Sequence, residues 1–390
     1  MHSLLRSALV VPVLLSLTLS ACGESEEVKA KRRQETAEAF KRMMEDAKKK
    51  REAEAEKRKA EALGNEPIKA LPEKVEADAA KVALGRRLYH DDLLSGDGTI
   101  SCATCHGIAT GGAEPRKVST GIKGQQGPIN APTVFNASFN FVQFWDGRAK
   151  DLKEQAAGPV ANPGEMGAEW PKVVEAVQKD ERYQKDFAAA YGGKIDQDTI
   201  TDAIAEYEKT LITPSRVDKF LRGDAAALTD QEKAGYALFK SVGCTTCHQG
   251  VNVGGSMYQK MGLVKDYFAA RGTPLTEADN GRFNVTKAEG DKHFFKVPTL
   301  RNVERTAPYF HDGSHDTLEA AVKTMASVQL AKDLKDDEVA AISAFLRALS
   351  GDVPADAALP EGDLPKDRLS PEPPAAAAAP AEGDKAAKKG

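Results

Sequence analysis

The chain has 390 residues, of which 41% are hydrophobic, enough for two or three modest domains with cores of their own. Its formal net charge of −4 gives nucleic-acid binding no support.

In chain order, Arg6 precedes an apolar stretch over residues 8–19, followed by Leu19-Ser20-Ala21-Cys22. The stretch falls short of the roughly 20 apolar residues that span a bilayer, so residues 1–21 are expected to be a signal peptide. The Leu-Ser-Ala-Cys ending resembles a bacterial lipobox, which makes Cys22 the lipidated first residue of an exported chain. An ordinary cleaved signal peptide with an incidental cysteine is the alternative. By resemblance to enterobacterial lipoproteins, Gly23 rather than Asp after the cysteine favours the outer membrane, so a periplasmic, lipid-anchored location is expected. Residues 24–63 lack Pro and Gly and are dominated by Glu, Lys, Arg and Ala, which predicts a solvated helix. Residues 22–75 are assigned to the anchor and this helical stalk, whose apolar positions are too sparse to favour a dimerising coiled coil.

An imperfect duplication follows. Gly85-Arg-Arg-Leu88-Tyr89 precedes Cys102-Ala-Thr-Cys105-His106, and Gly235-Tyr-Ala-Leu238-Phe239 precedes Cys244-Thr-Thr-Cys247-His248. A C-x-x-C-H run attaches a c-type haem: the thiols form thioethers and the adjacent imidazole reaches the iron. With Cys22 set aside, the other four of the five cysteines belong to these two runs, so two covalent haem c groups are expected. Matching amphipathic helices close the halves around Ile204-Ala-Glu-Tyr207 and Ile342-Ser-Ala-Phe345. The predicted fold is mainly α, with two class I cytochrome c-like haem domains over residues 76–213 and 214–350 and a boundary near Thr213-Pro214. Residues 351–390 are rich in Ala and Pro and are expected to be a disordered tail.

The sixth iron ligand decides between electron transfer and chemistry. Met257 and Met261 follow His248 by too little chain to cross to the opposite haem face, whereas Met325 lies shortly before the closing helix, so His248/Met325 ligation is expected. The first half offers neither such a methionine nor a second histidine after His106, so its haem is expected to be open to a substrate. His90 is expected to be a surface or structural residue.

Over roughly residues 76–350 the chain resembles the bacterial di-haem cytochrome c peroxidases. The resemblance rests on Leu94-Ser-Gly-Asp-Gly-Thr-Ile-Ser-Cys-Ala-Thr-Cys-His106, Asn130-Ala-Pro-Thr-Val, Phe144-Trp145-Asp-Gly-Arg148, Leu152-Lys-Glu-Gln155, Glu165-Met166, Pro298-Thr-Leu-Arg-Asn302 and Thr306-Ala-Pro-Tyr-Phe-His311. It implies a peroxidatic first haem fed by a His/Met second haem, hydrogen peroxide as substrate, and a small cytochrome c or cupredoxin as donor. Glu165 matches the distal acid-base glutamate, Gln155 a distal glutamine that orients peroxide, and Trp145 a ring between the haems. Asn130, Thr306 and Pro308 match positions holding a calcium ion, the last two through backbone carbonyls, and His311 is given a structural or haem-surround role. Relatives often dimerise, which leaves a homodimer open.

One departure stands out. Many such enzymes carry a histidine in the loop before Asn130 that blocks the resting peroxidatic haem, and here Ile122 stands at that position. Isoleucine cannot ligate iron, so a constitutively open first haem is expected, with a swinging Lys123 as the competing ligand. Two other functions compete. A protein-modifying oxidase similar to the methylamine dehydrogenase maturation enzymes would carry a tyrosine where Met325 stands, and a non-enzymatic electron carrier or sensor would have no use for Glu165 and Gln155.

Overall fold

The computed structural model describes residues 25–369, so the expected signal peptide, Cys22 and the residues beyond Leu369 lie outside the described residues. The chain divides into two compact units, Met1–Asn65 and Glu66–Gly390. In the first, α1 (Glu26–Gly64) is one helix of 39 residues, about 58 Å long. Its described side chains are almost all exposed, Phe40, Met43 and Met44 included. Among the described residues no helix is long and apolar enough to cross a membrane.

The second unit is mainly helical. Its first half comprises α2 (Ala79–His90), α3 (Cys102–Cys105), α4 (Leu152–Ala161), α5 (Trp170–Lys179), α6 (Glu181–Tyr191) and α7 (Gln197–Thr210). Its second half comprises α8 (Arg216–Leu221), α9 (Asp230–Val242), β1 (Tyr258–Lys260), α10 (Tyr267–Arg271), α11 (Phe283–Thr286), β2 (Phe294–Lys296), α12 (Leu318–Leu330) and α13 (Asp336–Arg347). The strands pair antiparallel, with Tyr258 opposite Lys296.

Each half is organised by one helix crossing. A Cβ placed on Gly85 of α2 would sit 1.8 Å from the Ala203 carbonyl oxygen of α7, and one on Gly235 of α9 would sit 1.9 Å from that of Ala341 on α13. Only glycine permits these approaches. Leu84, Leu88, Tyr89, Ile204 and Tyr207 bury one core around the first crossing, and Tyr236, Phe239, Ile342 and Phe345 bury another around the second. Each such side chain contributes roughly 1.5–3 kcal/mol on leaving water.

Two assigned boundaries move. The helix stops at Gly64, and residues 66–71 pack on the second half: Ile68 and Leu71 are buried, and the Leu71 N–H donates to Asp218 Oδ1 at 2.7 Å. Ile68 and Leu71 supply the apolar surface that the stalk lacks, which is why the segment docks. Residues 351–369 were expected to be disordered, yet they lie against the first half. The Tyr207 hydroxyl donates to the Ala357 carbonyl at 2.6 Å, Leu364 is buried, and Arg368 pairs with Asp91 and Asp180. A few anchors hold this strap where average composition suggested none. Between the halves, Thr213 is fully buried, and its hydroxyl oxygen accepts from the amides of Asn136 (2.8 Å) and Asn302 (2.7 Å).

Candidate haem and peroxide sites

Both C-x-x-C-H runs lie in a short helical turn that follows the opening helix of their half, directly in the second half and after an intervening loop in the first. Neither cysteine pair forms a disulfide. The histidines of the two runs are oriented alike. His106 Nδ1 lies 3.3 Å from the Gly112 carbonyl oxygen, and His248 Nδ1 lies 3.3 Å from that of Val253. A carbonyl only accepts, so Nδ1 carries the proton and Nε2 presents its lone pair, the tautomer an iron ligand needs. Burial pushes both imidazoles below their ordinary value, His248 to about 4, which keeps them neutral.

A second repeat supports each histidine. Asn130-Ala-Pro-Thr-Val-Phe-Asn136 and Lys296-Val-Pro-Thr-Leu-Arg-Asn302 superimpose in register. The Thr133 hydroxyl donates to the Gly111 carbonyl (2.6 Å) and the Thr299 hydroxyl to that of Asn252 (2.7 Å). Asn136 and Asn302 both adopt left-handed backbone, φ 60° and 59°. The carbonyls of Pro132 and Pro298 face the two histidine rings. The sequence reading missed this repeat; Pro-Thr-x-x-Asn at matched distances after each haem motif was the available signal.

One wall set defines the second haem site. Cys244, Cys247, His248, Trp145, Ile342, Leu346 and Met325 line a single, largely apolar cavity, as does Met261, which spacing had set aside. Trp145 comes from the first half of the chain. Its indole N–H donates to the Asn130 carbonyl (2.9 Å), and its ring meets Phe295 and His311 edge-on at centroid distances of 6.4 and 6.3 Å. Among the described residues lining the cavity, Lys296 alone is a lysine, arginine, aspartate or glutamate. It is buried, and burial lowers its ammonium to about 8 against the opposing pull of Asp146. An apolar slot with thiols, an imidazole, a thioether and one cation suits a haem, whose charge is carried by its propionates.

The first site is arranged differently. Glu165 lies in the loop after α4, half-buried. Its carboxyl is raised above the ordinary carboxylate value by burial, against Arg148 and a hydrogen bond donated by Asn162 Nδ2 at 2.7 Å. Glu165 is near enough to add to the upward shift of the Cys105 thiol, behind burial and Glu114, which places it beside the first haem motif. Ile122 is buried against this loop: its N–H donates to the Glu165 carbonyl at 2.8 Å, and its side chain packs on Gly167. Lys123 is exposed at φ 58°. The Arg148 guanidinium lies over Phe144, 3.5 Å from the ring centroid. Gln155 is half-buried on α4.

A sequence profile of the di-haem cytochrome c peroxidases matches residues 79–226. The chain is 50% identical over 295 residues to cytochrome c551 peroxidase of Nitrosomonas europaea, covering 74% of this chain and 86% of that protein. The chain belongs to the di-haem cytochrome c peroxidase family. Cytochrome c peroxidase Ccp of Escherichia coli K12 is 52% identical over 74% of this chain, which spans only 62% of that protein's length. Among solved structures, a MauG-like protein associated with microbial copper homeostasis superimposes with a TM-score of 0.63 at 28% identity, covering 73% of this chain and 93% of its own.

Within this family framework, Asn130, Thr306 and Pro308 line the same cavity as Trp145. The Asn130 N–H donates to the His311 carbonyl (2.8 Å) and its amide to that of Arg116 (2.9 Å). His311 is buried, with Nε2 2.8 Å from Asp279 Oδ1. Asp279, His311 and Asp312 are near enough to hold a metal, but Arg271 pairs with Asp279 (2.7 Å) and Asp312 (2.8 Å) and already neutralises them. His90 is a buried structural residue, its Nδ1 2.9 Å from the Arg86 carbonyl.

Proposed function

We propose that this protein reduces hydrogen peroxide to water at its first haem, using electrons delivered to its second haem by a small cytochrome c or cupredoxin. The observation that carries the reading is the contrast between the walls: Met325 on the second cavity, and Glu165 beside a buried Ile122 on the first. The bound haems supply iron centres that bind peroxide and pass electrons. His106 and His248 would ligate them, Cys102, Cys105, Cys244 and Cys247 would attach them, Met325 would supply a further ligand to the second, and Lys296 would offer a cation to its propionates.

The net reaction takes two electrons and two protons for each peroxide and yields two waters. Glu165 accepts a proton from the oxygen nearer the haem and returns it to the farther one, which leaves as water. The raised carboxyl suits both transfers. Gln155 orients the peroxide through its amide. Arg148, stacked over Phe144, supplies positive charge to the Glu165 carboxylate. Trp145 lies on the electron route between the haems. Ile122 offers no iron ligand, so a resting first haem would be high-spin and would need no reductive activation.

In this reading the second unit comprises two cytochrome c-like domains, and a calcium ion is held by the Asn130 side chain with the Thr306 and Pro308 carbonyls, in keeping with its preference for oxygen ligands. Cys22 anchors the chain to the periplasmic side of the outer membrane with α1 as stalk. Met325, where a tyrosine would mark the protein-modifying oxidases, favours the peroxidase. Steady-state peroxide turnover with reduced cytochrome c tests the proposal. Robust turnover in wild type is expected; none, with both haems loaded, would overturn it.

A further inference from the structure

The two helix crossings fix a residue-by-residue equivalence between the halves. Gly85 corresponds to Gly235, Ala203 to Ala341, and Tyr207 to Phe345, whose Cβ atoms each lie 3.0 Å from the Cβ that would replace the glycine. The next residue along each closing helix is Glu208 in α7 and Leu346 in α13. Leu346 lines the second haem cavity. Glu208 therefore occupies the matching place on the first haem's wall, and a carboxyl stands where the other half has an isobutyl group.

Glu208 is a costly residue to keep there. It is 5% exposed, and its Oε2 is buried without a hydrogen-bond partner. Burial alone raises its carboxyl, to about 8, with no charged side chain acting on it from any helix packed against it. The titratable neighbour it does influence is Cys102, the first haem-attachment thiol, which it raises second only to burial. A carboxyl whose buried oxygen lacks a partner costs stability.

We infer that Glu208 is an ionisable group built into the first haem's wall, which lowers that haem's reduction potential when its carboxyl is ionised. A negative charge in a dry interior stabilises ferric over ferrous iron, and charge beside the macrocycle is one of the few levers a protein has over haem potential. The lever matters here because Ile122 has removed the histidine ligand that relatives use at the first haem. Leu346 withholds it from the second haem, where a high potential is wanted. Glu208 acts through the field at the haem and is a tuning residue, with no role in proton transfer to peroxide.

The inference rests on the two-haem reading, and its test separates the two. The midpoint potentials of both haems are titrated spectroscopically in the full-length holoprotein at pH 9, above the value that leaves the carboxyl protonated, after pyridine haemochrome confirms two haems. Glu208→Gln should raise the first potential and leave the second unmoved, and Leu346→Glu should lower only the second. An unmoved first potential in Glu208→Gln with two haems bound overturns the inference. If Glu208→Gln loses haem, Glu208→Leu, which copies the second half, is read the same way; loss of haem from both also overturns it, by making the carboxyl a requirement of assembly. A wild type without peroxide turnover whose first haem still responds to Glu208→Gln would sink the peroxidase reading and leave this one standing.

Discussion

The two halves of the globular unit share a frame and differ in their walls. Both cross an opening and a closing helix at a glycine, both set the proximal histidine with a carbonyl at 3.3 Å, and both repeat Pro-Thr-x-x-Asn beneath it. Against that constancy, Met325, Lys296 and Leu346 line the second cavity, while Glu165, Ile122 and Glu208 are assigned to the first site by the proposed reading. In the proposed reading the frame holds a haem, and single side chains on the wall decide whether it reacts or carries electrons. A duplication can thus separate two functions at the cost of a few substitutions.

The largest expected break comes from Glu165→Gln, which keeps size and hydrogen bonding but cannot accept the proton. Peroxide turnover should fall by about 10²–10⁴-fold. Wild-type turnover should rise with pH as Glu165 ionises, through a midpoint above 4.5 because burial raises the carboxyl, and that acid limb should vanish in the variant. Undiminished turnover in Glu165→Gln would remove the first site's claim to chemistry.

Next in size is a break in the frame. Arg301 is fully buried, paired with Asp218 at 2.9 Å and hydrogen-bonded to the Val251 carbonyl at 2.6 Å, where the first half places Phe135. Arg301→Met leaves Asp218 buried without its cation and should cost about 3–5 kcal/mol in chemical denaturation. A loss below about 1 kcal/mol would show that the repeat tolerates either solution.

Ile122→His sharpens the comparison by giving the first haem a ligand. The oxidised protein should gain a second low-spin signal in electron paramagnetic resonance, and turnover should then require prior reduction. If wild type already shows only low-spin haem, and Lys123→Ala does not change it, the vacant first site is refuted. The smallest effect is expected from Arg368→Ala, which frees the strap over residues 351–369 from Asp91 and Asp180. A loss of about 1–3 kcal/mol in the holoprotein is expected, with the haem potentials unchanged.

Much of the site was legible because its signals are local. Cys102, Cys105 and His106 must fall within one helical turn to serve one haem, so the motif survives in the linear chain. Glu165 and Ile122 were readable from their flanking residues, and the structure adds that they touch through a backbone hydrogen bond. Met325 was separated from Met261 by spacing alone, and both turn out to line the cavity. Lys296, Glu208 and the strap over residues 351–369 escaped, because a lone lysine, a glutamate in a charged helix and an Ala/Pro-rich segment each have an ordinary solvated reading.

By itself the sequence determined the haem-attachment chemistry, the helical frame and its duplication, since these follow from residue spacing and periodicity over a few turns. Only the tertiary structure decided that Lys296 lines the second site, that Glu208 has no partner for its inner oxygen, that residues 66–71 and 351–369 lie on opposite halves, and that Trp145 crosses to the other haem's wall. Each depends on groups brought together from distant parts of the chain, and whether a charge is isolated or solvated is settled by the packing around it.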